Sequence, residues 1–166
     1  MTAPRPAATT QPGRRPGRTY LTVASSNPCD GCEAPCCRVV VFPQKQPQTF
    51  LEIDYFRYIL GFSTMEVLVD SSGEWSVIVH DTCRLFDTET HRCTVHGTPR
   101  QPRICSTYPP EPCWYKHGFT GADPPDMIRF DAPTFELVLE HLIFDDEGWI
   151  VQAPDWDQLK NLTSGR

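Results

Sequence analysis

Eight cysteines in two groups of four constrain this 166-residue chain more than any other feature. Cys29, Cys32, Cys36 and Cys37 form C-x2-C-x3-C-C, and Cys83, Cys93, Cys105 and Cys113 follow with gaps of 9, 11 and 7 residues. In a secreted mini-protein such a count means a disulfide framework; in a reducing compartment it means metal or redox chemistry. The compartment therefore decides the reading. Nothing near the start resembles the apolar core of a secretion signal. Arg14-Arg15 is followed by Pro16, Gly17 and Arg18, where a twin-arginine signal would turn apolar. No run approaches the roughly 18 apolar residues that a membrane span needs. We expect a cytoplasmic protein with no membrane partner, and we read the thiols as metal ligands.

The spacing carries chemistry. The two-residue gap in Cys29-Asp30-Gly31-Cys32 lets both sulfurs turn toward one ion, with Gly31 able to take a positive φ in so tight a loop. Side chains of adjacent residues such as Cys36 and Cys37 are expected to diverge, and a vicinal disulfide would strain the peptide between them. They are read as serving different centres or different partners; one arrangement has three front thiols and one distant thiol at one centre, with the fourth front thiol crossing to the second group. A zinc ribbon presents two C-x2-C knuckles and this chain has one. Three thiolates packed close together with a remote fourth are nearer to iron–sulfur ligation. Three states stay open: an iron–sulfur cluster, with [4Fe–4S] favoured; zinc or mononuclear iron; and metal-free disulfides or reduced thiols. All eight cysteines are candidate ligands. His80, His91 and His96 lie close by, but eight thiolates already suffice for two four-ligand sites. His96 is better read as a donor to a thiolate sulfur, and His117 and His141 as surface or core-edge residues.

Charge narrows the partners. Residues 1–19 hold Arg5, Arg14, Arg15 and Arg18 and no acid, so the remainder carries 11 basic and 21 acidic side chains, a net of -10. A body that acidic repels phosphate backbones, which disfavours nucleic acid. The tail of residues 1–19 has almost nothing to bury and is expected to be disordered. We assign one domain to residues 20–166.

Seventeen prolines limit long helices and central strands. Val39–Phe42 reads as a short strand ended by Pro43. Thr49–Leu60 reads as a helix with apolar residues at Phe50, Ile53, Phe56 and Leu60, a capping box of Thr49 and Glu52, and Gly61 as its stop. Residues 63–79 suit either a short helix or a hairpin around Asp70-Ser71-Ser72-Gly73. Thr134–Phe144 reads as a helix and Trp149–Val151 as a strand before a final polar turn. Between Cys83 and Cys113 the apolar content is too scattered for a core, so something covalent or coordinate must hold it. Asp81, Asp87 and Glu89 read as turn formers, Asp145-Asp146-Glu147 as a solvated turn, and Trp114, Tyr115 and Phe119 as a cap over the metal loop. The fold class is α+β: small, loop-rich and metal-stabilised.

The front C-x2-C-x3-C-C, Thr49, Asp54, Arg57, the Leu60–Ser63 turn, Cys83-Arg84-Leu85-Phe86-Asp87, Cys93, Pro102-x2-Cys105 and Tyr108-Pro109 together resemble the YkgJ-type cysteine-cluster family. That family is also described as the CxxCxxCC zinc- or iron-chelating domain, and the likeness spans residues 27–113. It implies metal binding through the cysteines, in a structural or chelating role. It also implies an alternative, an iron-dependent redox or group-transfer enzyme similar to flagellin lysine N-methylases. The long additional region of those methylases is missing here. Where relatives carry a Tyr and an Arg-Pro near the later cysteines, this chain has His96 and Gln101-Pro102, leaving Arg100 or Arg103 to meet any anionic substrate.

Overall fold

The structure is a computed structural model that describes residues 32–108, 113–121 and 124–163. The expected disordered tail, and Cys29 with its Gly31, lie outside the described residues. The chain begins with a 3-10 turn (Pro35–Cys37), then β1 (Val39–Gln44), α1 (Phe50–Leu60), and β2 (Met65–Asp70) with β3 (Trp75–His80). Next come β4 (Phe86–Asp87), β5 (Arg92–Cys93), α2 (Arg103–Thr107), α3 (Trp114–Phe119) and β6 (Met127–Phe130). It ends with α4 (Ala132–Leu139), β7 (Ile143–Phe144), β8 (Ile150–Gln152) and α5 (Trp156–Thr163). This is the α+β class expected. Among the described residues no helix is long and apolar enough to cross a membrane.

Four strands make one antiparallel sheet in the order β1-β3-β2-β6. Because side chains alternate across a strand, Val67, Val69 and Val77 face one side, where they pack with Ile53 and Phe56 of α1, Phe130 of β6 and Phe135 of α4. Leu68 and Ile78 face the other side with Val39 and Met127, against Trp114, Tyr115 and Phe119. Phe130, Phe135, Ile78 and Val67 are fully buried, each stabilising the fold by about 1.5–3 kcal/mol.

Several local expectations change. Pro43 continues β1 instead of ending it, because β1 is an edge strand and a missing N–H costs nothing on its open side. Thr49 caps α1 by accepting from the Glu52 N–H at 3.3 Å. Glu52, however, reaches one residue past the cap and accepts the Gln48 N–H at 2.7 Å. Gly61 is right-handed, at φ -64, and a Cβ there would lie 3.1 Å from the Tyr58 carbonyl oxygen. Phe50 is half exposed and stacks edge-on against Phe144, while Ile59 takes its expected place in the core. Residues 65–80 form the hairpin and not the helix, with Asp70 accepting the N–H groups of Ser72 and Glu74 and Gly73 at φ 85.

The fourth helix starts at Ala132, where Asp131 and Thr134 cap each other, and it stops at Leu139. Ile143 and Phe144 instead pair with β8, since Asp145 accepts the Trp149 N–H and closes a turn. The polar turn expected at the end is α5. Asp155 and Gln158 exchange backbone-to-side-chain hydrogen bonds at 2.8 and 2.9 Å at its start, a reciprocal cap readable as Asp-x-x-Gln.

Candidate metal centre

The front knuckle reaches the second cysteine group through the sheet. The turn Pro35–Cys37 is closed by Cys37 N–H to Ala34 O at 2.9 Å and Arg38 N–H to Pro35 O at 2.9 Å. Ala34 just before it is left-handed, at φ 54 and ψ 54, a conformation that costs an alanine about 1 kcal/mol. Strand β1 then leaves, and β3 returns beside it with His80 opposite Val39. The antiparallel pairing runs on past the strand, with Asp81 N–H to Arg38 O at 3.1 Å and Cys83 N–H to Cys37 O at 2.8 Å. That last bond lays the second group against the first.

From Cys83 the chain folds back at once. Phe86 N–H bonds the Cys83 carbonyl at 2.9 Å, and Phe86 pairs with Cys93 across the β4–β5 hairpin. Asp87 shapes that turn by accepting from the N–H groups of Glu89 and Thr90, and His91 completes it at φ 54. The Thr90 hydroxyl and these two N–H groups hold the Asp87 carboxyl below its ordinary range. The role of Asp87 as a turn former is thus met. Cys105 sits on α2, which follows Pro102, the residue whose carbonyl accepts the Cys105 N–H at 3.0 Å.

The thiols sense one another. Cys36 and Cys37, expected to diverge, are hydrogen-bonded side chain to side chain. A 3-10 turn places successive side chains about 120° apart around its axis instead of on opposite sides as in a strand. The bond from Cys37 lowers Cys36 to about 7 against its burial, with help from its own backbone. Cys37 is pushed far up by that same bond, then by burial, then by the charges of Cys36, Cys83 and Cys93. Burial raises Cys105, and the charges of Cys36, Cys83 and Cys93 add to it. Five thiols from both groups therefore share one electrostatic neighbourhood, in which releasing several protons is opposed unless a cation compensates them.

Cys113 shares its surroundings with two tyrosines, Tyr108 and Tyr115. Burial raises the Tyr115 phenol, with Tyr108, Cys36, Cys105 and Cys113 adding to the shift, and the two tyrosine rings lie 5.5 Å apart. Trp114, Tyr115 and Phe119 do cover the region next to Cys113, but their apolar bodies also seal the second face of the sheet. Cys32 is half-buried at the beginning of the described chain. All seven described cysteines are free thiols. Among the described residues, no three Cys, His, Asp or Glu side chains are grouped closely enough to hold a single metal ion.

The histidines take other partners. His80 Nε2 lies 2.9 Å from Glu66 Oε2 and His117 Nε2 lies 3.0 Å from Asp126 Oδ1, while His91 packs edge-on against Phe86. His96 donates its backbone N–H to the Cys93 carbonyl at 3.2 Å. Arg57 is paired with Asp54 at 3.1 Å and Glu136 at 3.0 Å, linking α1 to α4. Both groups raise the Arg57 pKa, Glu136 more than Asp54. Arg38, which no spacing singled out, follows Cys37 directly and stacks over Phe86 with its guanidinium carbon 5.3 Å from the ring centroid.

The family described as "CxxCxxCC: Putative zinc- or iron-chelating domain" matches residues 28–126. No curated protein and no solved structure matches the chain. The front signature of this chain has three residues between Cys32 and Cys36, one more than the CxxCxxCC pattern, and the left-handed Ala34 lies within that gap.

Proposed function

Because this chain belongs to the CxxCxxCC family of zinc- or iron-chelating domains, we propose that it is a metal-binding domain over residues 20–166 whose eight cysteines are the ligands. In this reading one centre is held by thiolates of both groups, drawn from Cys36, Cys37, Cys83, Cys93 and Cys105. Cys29, Cys32 and Cys113 complete the set. The metal ties the knuckle to the hairpin, and its role is structural or chelating. The protein then works in the reducing cytoplasm, where thiols stay available to metal.

The observation that carries the reading is the bond from Cys83 N–H to Cys37 O, with five thiols sensing one another around it. The donor set fits the group in kind, since thiolate is the preferred ligand of zinc and of iron–sulfur centres. Its spacing favours an iron–sulfur cluster. Cys29, Cys32 and Cys36 lie within eight positions with further thiols remote, which is nearer to iron–sulfur ligation than to a zinc ribbon with its two C-x2-C knuckles. When bound, such a centre supplies cross-linking and, if exposed, electron transfer.

The test is anaerobic purification followed by elemental analysis and absorption spectroscopy. Iron with acid-labile sulfide and a broad band near about 400 nm is expected. Cys83→Ser and Cys105→Ser should each lose most of it. Colourless protein with stoichiometric zinc would replace the cluster by zinc, and metal-free, well-folded protein would remove the reading altogether.

A further inference from the structure

Beside the thiols lies a cavity of about 460 Å3, the size of a small-molecule site. Its walls come from the segments that carry the cysteines: Pro35 and Arg38 flank Cys36 and Cys37, and His91 stands two residues before Cys93. On a body with a net charge of -10, two guanidinium groups line this one space, those of Arg38 and Arg129. Each is stacked over an aromatic ring. Arg38 lies 5.3 Å from the Phe86 centroid and Arg129 lies 5.7 Å from that of Phe119. Stacking fixes the plane of the fork, so less freedom is lost when it takes a ligand.

Arg38 is the less encumbered of the two cations. Arg129 is paired with Glu66, whose Oε2 lies 3.8 Å away and is also held by His80 at 2.9 Å, so its fork meets a ligand while positioned by that pair. Among the described residues no carboxylate comes within ion-pair distance of Arg38. Glu33 also lines the cavity, and its charge sets a penalty on small, highly charged ions that a larger ligand with apolar contacts can outweigh. Val39 and Phe119 supply the apolar wall for such a ligand. Arg100 and Arg103, which the sequence offers for this task, are exposed and line no part of the cavity.

We infer that this cavity binds a small organic oxyanion, a carboxylate or phosphate ester with a compact apolar body, whose head is gripped by Arg38 and Arg129. A fork-shaped guanidinium matches the paired oxygens of either head. The inference rests on the cavity and its cations, independently of which metal the thiols hold. Its ligand would sit next to the cysteine segments.

The experiment is isothermal titration of the full chain as purified, with metal content measured on the same sample. The probes are phenylacetate, phenyl phosphate, inorganic phosphate and neutral benzyl alcohol. At least one of the two aryl anions should bind about tenfold or more tightly than benzyl alcohol and than inorganic phosphate, and the tighter of the two names the head group. Arg38→Gln should weaken that binding about tenfold with metal content and circular dichroism unchanged. Arg129→Lys, which keeps the charge and guards the fold, should weaken it less. Benzyl alcohol or inorganic phosphate binding as tightly as the aryl anions would overturn the proposal, as would an unchanged affinity in a folded Arg38→Gln protein.

Discussion

The two halves of this molecule hold together by different means. In the sheet half, strands of four to six residues pack their apolar faces against α1, α4 and α5, with Phe130 and Phe135 fully buried at the centre. In residues 83–108 the strands are two residues long, α2 has five residues and buries none, and only Phe86 and Val95 are buried. Neither of those two joins the core clusters. Fixing a backbone costs about 1–2 kcal/mol per residue, whereas one large buried side chain returns about 1.5–3. The sheet half therefore stabilises itself by burial, and the cysteine half needs a further cross-link. Its free thiols lie where one would form.

Metal removal tests this contrast most strongly, since a structural metal contributes about 10 kcal/mol or more to a small domain. A chelator should abolish amide-exchange protection in residues 83–108 and leave β2 and β3 protected. One cooperative loss across both halves would break the comparison. Next in size, Phe135→Ala should lower stability by about 3–5 kcal/mol, read from denaturant midpoints. Being confined to the sheet half, it should leave the metal stoichiometry of the folded fraction unchanged.

The smallest effect concerns the β2–β3 turn and sharpens the contrast through pH. Burial pushes the Asp70 carboxyl up, but hydrogen bonds from the Ser72 hydroxyl and the N–H groups of Glu74, Ser72 and Gly73 more than reverse this. Its folded pKa lies below 3.8, so its contribution is fully present above that value and fades as pH falls through the folded pKa. The stability gap between the parent and Asp70→Asn, followed by thermal unfolding, should be constant from neutral pH to about 5 and close only in stronger acid. A gap that widens on acidification would contradict the assigned hydrogen bonds.

Local signals were legible where one short segment carries the physics. The cap at Thr49, the apolar spacing of Ile53, Phe56 and Leu60, and the alternation of Trp75, Val77 and Val79 each specify a surface without reference to distant residues. The same kind of signal at Asp155 and Gln158 marks α5, though the polar sequence around it reads as a turn. Pro43 misleads because whether a proline breaks a strand depends on its open side, and only the sheet order reveals that β1 is an edge.

The site divides in the same way. Cysteine number and spacing alone determined that this chain presents thiolate chemistry, because ligand type is a property of the side chain. Which cysteine segments lie side by side was decided by the tertiary structure. The β1–β3 pairing lays the Cys83 backbone against Cys37, and the β4–β5 register sets Cys93 opposite Phe86. The cavity between Arg38 and Arg129 arises likewise, from residues 91 positions apart joined by no local pattern. Spacing along a chain encodes turns and faces; convergence of distant charges depends on strand order and register, which exist only once the sheet has formed.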